Sequence, residues 1–412
     1  MKNILLFTLS VILILFLIDI VFINISTLKE LKTLKIEEKN TQKEEILNLN
    51  PKNNQEDFII KTWFKKIIDG KSIILKDIVS TNKNIYIIGQ NEKVNKNIVI
   101  INIDNTGNLI FQKDIRISNT TKIYKAEYID NHIYIVGTED YKPVIFILDQ
   151  SGNLLKSKIF EKNGTFLRII KDNFDNIYVI GYIIEKSKKT GYFIEINSNL
   201  EKLNEFKITW YNNETITDIS TDRNYIYLLG NTTSTANNNS DIFIIKLNKF
   251  NYNDYKISRF GKEQLNEYGY SIIKDNNSFY IVGYSTTSNN FPWKVLIIKV
   301  NNDFNEIMRK DYMLKRSSIA YSGFLYKNKI IISGYTLEKN NDFDGFIILI
   351  DKKDGTLLKE NYYGEDYDER ILNSKLISNN AIISVGYQKK ENNISGIILY
   401  SNYDGRLNEF IK

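Results

Sequence analysis

Runs of about five β-branched or aromatic residues that end in glycine recur along this chain. They read NIYIIG to Gly89, HIYIVG to Gly137, NIYVIG to Gly181, YIYLLG to Gly230, SFYIVG to Gly283, KIIISG to Gly334 and AIISVG to Gly386. The glycines are spaced by 48, 44, 49, 53, 51 and 52 residues. Seven returns at so regular an interval define a repeat of about 50 residues, and a period of that length marks an array of supersecondary units.

Each unit contains four candidate strands. A first strand precedes the glycine run, as in KAEYID (125–130) and YSIIKD (270–275), and a short Asn/Asp turn joins the two. The third strand is again nearly all apolar, as in NIVIINID (97–104), DIFIIKLN (241–248) and GFIILID (345–351). A turn such as DNTGN (104–108) or DQSGN (149–153) leads to a fourth strand that carries Lys, Glu and Asn. Apolar residues on both faces suit strands packed between neighbours, and charge on the fourth suits a protected outer edge. The pattern predicts an all-β fold: a seven-bladed β-propeller of four-stranded antiparallel blades over residues 57–412. DFIIKTWFKK (57–66) and GRLNEFIK (405–412) give eight candidate outer strands for seven blades, so the two chain ends should meet.

The amino terminus follows a different pattern. Residues 4–23, ILLFTLSVILILFLIDIVFI, form a 20-residue apolar run behind Lys2. As a helix it would span a hydrocarbon core of roughly 30 Å. The sequence after it, NISTLKELK, offers no small-x-small cleavage pattern, so an uncleaved transmembrane signal anchor over 1–26 is expected. Asp19 lies near the end of the run and can reach the interface. Residues 27–56 are charge-rich, with leucines at 28, 31 and 34, and read as a linker or short stalk. This organisation places the propeller on the extracytoplasmic side of the cytoplasmic membrane, in the periplasm or at the cell surface. The lysine count on either side of the run would not by itself export the remainder.

Composition then narrows the chemistry. The 412 residues include no Cys and one His, His132, which excludes disulfides, thiolate metal sites, a Cys nucleophile and a two-imidazole zinc centre. His132 falls in a turn and reads as a structural or solvated residue. The net charge of +6 is interspersed and forms no basic patch, so no nucleic-acid partner is expected.

The segment GKEQLNEYGYSIIKDNNSFYIVGYSTTS (261–288) resembles the β-propeller repeats of large bacterial secreted and surface proteins, with the unit GGxxxDxxxSI…GxYIVxGYTS…DxFLIKLDxxGN. SDIFIIKLNKF (240–250) and DGFIILIDKKDGTLLKENYYGEDYDERI (344–371) match its latter portions, and the resemblance covers roughly residues 60–412. It implies the propeller fold and no particular activity. Many copies here lack the paired glycine, and the Asp before the third strand survives mainly as Asp241 and Asp344.

No catalytic constellation, cofactor fingerprint or metal loop emerges. The acidic cluster Glu365, Asp366, Asp368 and Glu369 lacks EF-hand spacing and reads as solvated charge. The longest loops are 231–241, 284–293 and 335–344, in blades four to six. Phe291 and Trp293, around Pro292, form an aromatic cluster there that suits a sugar, a peptide or a protein surface, although Trp293 could simply begin the third strand. Glu127, Arg168 and Asp218, near the starts of first strands, are candidates for the channel lining. The expectation is a non-catalytic scaffold that binds an envelope protein or a glycan. The alternatives are a carbohydrate-active enzyme with carboxylates at the channel mouth, or a structural spacer.

Overall fold

The computed structural model describes residues 63–67, 72–93, 97–210, 213–233, 239–287, 292–338, 342–365, 367–377 and 381–407. The expected anchor (1–26) and linker (27–56) lie outside them. None of the described residues belongs to a helix long and apolar enough to cross a membrane.

Seven four-stranded antiparallel sheets follow one another along the chain. The first strands of consecutive blades are Ile73–Ser80, Lys122–Ile129, Gly164–Lys171, Thr215–Thr221, Asn266–Lys274, Ser317–Tyr326 and Asp368–Leu376. Each packs against the next, and the last packs against the first, so they line a closed central channel. The N-terminal candidate closes the ring: Trp63–Ile67 pairs with Asn393–Asn402 as the outer strand of blade seven, with Trp63 opposite Tyr400. Residues 408–412, the rest of the C-terminal candidate, lie outside the described set.

The core sits between the blades. Seven apolar clusters occupy the seven interfaces, one of them joining blade seven to blade one through Ile73, Leu75, Ile87, Val385 and Tyr400. Strand alternation explains the near-continuous apolar runs. In blade five, Phe279 and Ile281 face blade four, whereas Tyr280 and Val282 face blade six. At about 25 cal/mol per Å² of apolar surface removed from water, this two-sided burial is the main stabilising contribution.

Every first strand carries a β-bulge at the same place, opposite the repeat glycine. The bulged residues are Lys76, Tyr124, Leu167, Thr217, Tyr270, Tyr321 and Leu372. The bulge brings a first-strand carbonyl onto the glycine. A Cβ at Gly283 would lie 1.8 Å from the Tyr268 oxygen, and one at Gly386 would lie 1.8 Å from the Arg370 oxygen. The glycine of the repeat is therefore a close-approach requirement. A second pairing explains the partial Asp–Gly motif: the Asp241 and Asp344 carboxylates lie where side chains at Gly261 and Gly364 would be.

Gly283→Ala should destabilise the fold by about 3 kcal/mol through overpacking against backbone that cannot move independently. Equilibrium urea denaturation measures this, and an unchanged midpoint would contradict the close approach.

Candidate functional site

The residue after each bulge points into the channel ring. On one side it is charged: Asp77, Lys125, Arg168 and Asp218. On the other it is small or neutral: Ser271, Ser322 and Asn373. Several of these side chains join blade to blade by capping the unpaired inner edge of the next first strand. Asp77 accepts the Ala126 N–H at 2.7 Å, Asp218 accepts the Ile272 N–H at 2.9 Å, and the Ser322 hydroxyl donates to the Ser374 carbonyl at 3.1 Å. Asn373 donates to Asp77 and so ties blade seven to blade one.

Two of the sequence candidates meet in this ring. Arg168 Nε lies 2.9 Å from the Asp218 carboxylate, an ion contact without the alignment of a hydrogen bond, and Asp218 raises the guanidinium pKa. Asp77 is fully enclosed, and burial would raise its pKa. The charges of Lys125 and Lys375 and the Ala126 N–H outweigh burial and hold it below the usual carboxylate value. Burial pushes Lys125 down despite Asp77. Glu127 stands two residues after Lys125 on the same strand, half-buried, and adds negative charge near Arg168. These charges hold first strands together.

Above the ring, at the face where first strands begin and second strands end, a different site assembles. Tyr268 and Tyr284 stack at 4.8 Å between centroids, and Tyr270 lies 6.0 Å from Tyr284 with the rings 19° from parallel. Tyr270 meets Tyr321 of blade six at 4.9 Å, and Tyr321 meets Tyr335 at 5.6 Å with the hydroxyls 3.3 Å apart. Trp293 extends the series outward, 6.3 Å from Tyr284. Phe343 packs edge-on to Tyr335, and the Arg370 guanidinium of blade seven lies 4.3 Å from the Phe343 centroid and 4.8 Å from that of Tyr335. Tyr387 is 5.8 Å from the same guanidinium. These rings form one arc over blades five to seven, and all but Tyr335 remain partly open to solvent.

The arc occupies positions that serve blade-to-blade stapling elsewhere. The residue after the repeat glycine is Gln90, Thr138, Tyr182 and Asn231 in blades one to four. Gln90 donates to the Thr121 carbonyl and accepts the Ile123 N–H, Thr138 donates to the Gly164 carbonyl, and Asn231 exchanges two hydrogen bonds with Gly269. In blades five to seven the position holds Tyr284, Tyr335 and Tyr387, which contact rings and a guanidinium instead.

Burial, followed by the proximity of Tyr335, pushes the Tyr270 hydroxyl up to about 12. Tyr284 and Tyr321 are driven above the ordinary phenol range chiefly by burial. The phenols are therefore neutral donors and acceptors at physiological pH. Two carboxylates next in sequence to Phe343 and Arg370 are shifted as well. Burial, reinforced by the negative charges of Glu338 and Asp342, raises Asp344 to about 7. Burial, reinforced by Asp344 and Glu365, raises Glu369 to about 7 although it accepts hydrogen bonds from Gln388 and the Glu365 N–H. Of the acidic cluster, Asp368 accepts the Phe343 N–H, and Asp366 lies outside the described residues. Among the described residues no group of three or more acidic or imidazole ligands is arranged to hold a metal ion.

Trp293 does begin the third strand of blade five, and it also belongs to the arc. Phe291 lies outside the described residues, as do 234–238, 288–290 and 339–341 of the long loops. Tyr268, Tyr270, Tyr284, Tyr321, Tyr335, Phe343, Tyr387 and Arg370 are the residues that sequence reasoning missed. The available signal was the residue after the glycine, which becomes Tyr in three consecutive repeats.

The architecture is that of a seven-bladed β-propeller, and solved propeller-like structures resemble it. The polysaccharide lyase Uly1 matches with a TM-score of 0.56 at 8% identity, over 84% of this chain and 100% of that one. A streptogramin B lyase matches at 0.52 and 11%, over 82% and 98%. Virginiamycin B lyase from Staphylococcus aureus matches at 0.52 and 11%, over 82% and 99%. At these identities the likeness shows the fold alone. No protein-family model and no curated protein sequence matches the chain.

Because folded Glu369 and Asp344 keep protons that the unfolded chain releases, their contribution is fully present below about pH 4 and is lost by about pH 7. Glu369→Gln, which keeps the hydrogen-bonding shape, should flatten the decline of Tm between pH 4.5 and 7.5. Parallel curves for both proteins would contradict the assigned shift.

Proposed function

We propose that this protein is a membrane-tethered, extracytoplasmic propeller whose aromatic arc binds a glycan. The observation that carries this reading is the tyrosine series Tyr268–Tyr284–Tyr270–Tyr321–Tyr335, partly open at the channel mouth, where blades one, two and four use the polar staples Gln90, Thr138 and Asn231. Stacked phenols offer apolar faces for the C–H surfaces of sugar rings and neutral hydroxyls for their hydroxyl groups. Trp293 gives the series an outer end. A folded protein partner would be better served by protruding apolar anchors than by half-buried phenols.

A second reading, a carbohydrate-active enzyme, draws on one observation. Asp344 and Glu369 titrate near neutrality beside Phe343 and Arg370, which is the range a general acid or base needs. The structural likeness to a polysaccharide lyase agrees with this reading without assigning it.

Calorimetric titration with a panel of neutral and acidic hexasaccharides should find binding that Tyr270→Ala and Tyr321→Ala each weaken about tenfold, equivalent to about 1.4 kcal/mol. Tyr182→Ala, in blade three at the position equivalent to Tyr284, should leave it unchanged. Absence of binding across the panel would overturn the reading. Appearance of shortened oligosaccharides, abolished by Glu369→Gln, would establish the enzyme instead.

The membrane assignment rests on the apolar run 4–23 and the charged linker behind it. The chain has no cysteine, so Phe250→Cys, at an 82% exposed position on the propeller, creates a single reporter. Labelling by a membrane-impermeant maleimide on spheroplasts is the expected result. Labelling only after lysis would place the propeller in the cytoplasm.

A further inference from the structure

Arg370 is unusual among the cations of the arc's surroundings. Its guanidinium lies over Phe343 and Tyr335, contacts that hold it in place without consuming its N–H donors. Its Nε is buried and has no hydrogen-bond acceptor among the described residues. Its Nη2 is 3.6 Å from the Asp368 carboxylate, beyond hydrogen-bond length, and that carboxylate already accepts the Phe343 N–H at 3.3 Å. About a quarter of the side chain remains exposed. By contrast, Arg309 in blade five is hydrogen-bonded to both Glu306 and Glu267. A buried donor without an acceptor is costly, and a ligand that supplies one recovers that cost. A planar guanidinium fork matches a planar carboxylate in bidentate geometry.

We propose that the glycan bound by the arc is acidic, a uronic-acid-containing chain, and that Arg370 takes the sugar carboxylate while the tyrosines stack against its rings. This inference rests on the glycan reading above and adds the class of sugar. Glu369 and Asp344 hold their protons up to about pH 7, which limits repulsion of an anion at mildly acidic pH.

The test titrates the full chain in detergent at pH 6 with hexagalacturonate, with its methyl ester, and with a sulfated neutral hexasaccharide. The acid should bind at least tenfold more tightly than the ester. Arg370→Gln should erase that preference by bringing the acid down to the affinity of the ester, and Arg370→Lys should restore part of it. Equal affinity for acid and ester overturns the inference while leaving the glycan reading intact, as does a preference that survives Arg370→Gln. Tighter binding of the sulfated chain overturns it in favour of a sulfate ester. Failure of every sugar, neutral or acidic, removes the glycan reading itself. Should Arg370→Gln fail to fold, the acid–ester comparison on the unaltered protein still decides the matter.

Discussion

The structure depends on one repeated constraint, the contact between a bulged first strand and the glycine of the second. A bulge inserts one residue, sharpens the local twist and re-aims the side chains around it. Here it pushes a carbonyl onto the neighbouring strand at seven equivalent places, and glycine accommodates that approach without rearrangement. Two consequences follow at once. The bulged residue is turned to the channel mouth, and the residue after it is turned into the channel ring. The feature that makes blades pack also decides which side chains a ligand can meet.

The ring and the mouth divide this labour unequally around the channel. In blades one to four, the ring positions are charged and the mouth positions mostly polar, and both are largely committed to neighbouring blades. In blades five to seven the ring shrinks to Ser271, Ser322 and Asn373, of which Ser322 caps and Asn373 ties at small volume. Mouth-side space is then filled by phenol rings and a guanidinium. An inner strand edge needs its N–H and C=O groups satisfied, but it needs no aromatic stack to do so. The asymmetry is therefore not required by closure, which the Trp63–Ile67 strand completes at the outer edge of blade seven.

Much of this fold was legible in the residues. The spacing of Gly89 to Gly386 gave the blade number, and continuous apolar runs announced strands buried on both faces. The two terminal segments, 57–66 and 405–412, correctly raised the question of closure, which hydrogen-bond pairing alone could answer. The site was less legible for a physical reason. Tyrosine is both a good strand former and a good ligand contact, so Tyr284 and Tyr335 look like ordinary strand residues until register places them at one mouth. Arg168 and Asp218 drew notice as channel charges, yet nothing linear shows that they face one another. Arg370 sits in YYGEDYDER, where surrounding acids suggest a solvated segment and conceal its place over Phe343.

Whether the arc is a packing device or a binding surface turns on what the alternatives would cost. If it served packing alone, aliphatic residues would fill the same space without bringing several hydroxyls partly out of water. The protein meets the same positional need in blades one, two and four with Gln90, Thr138 and Asn231, each of which satisfies neighbouring backbone directly. Replacing such staples with phenols gives up a backbone hydrogen bond and retains solvent access. Beside them, the Arg370 Nε has no hydrogen-bond acceptor among the described residues. Each of these is a disadvantage for stability and an advantage for recognition, and they coincide on one stretch of the channel mouth. Proteins depart from local optimisation in this concentrated way where a ligand completes the contacts.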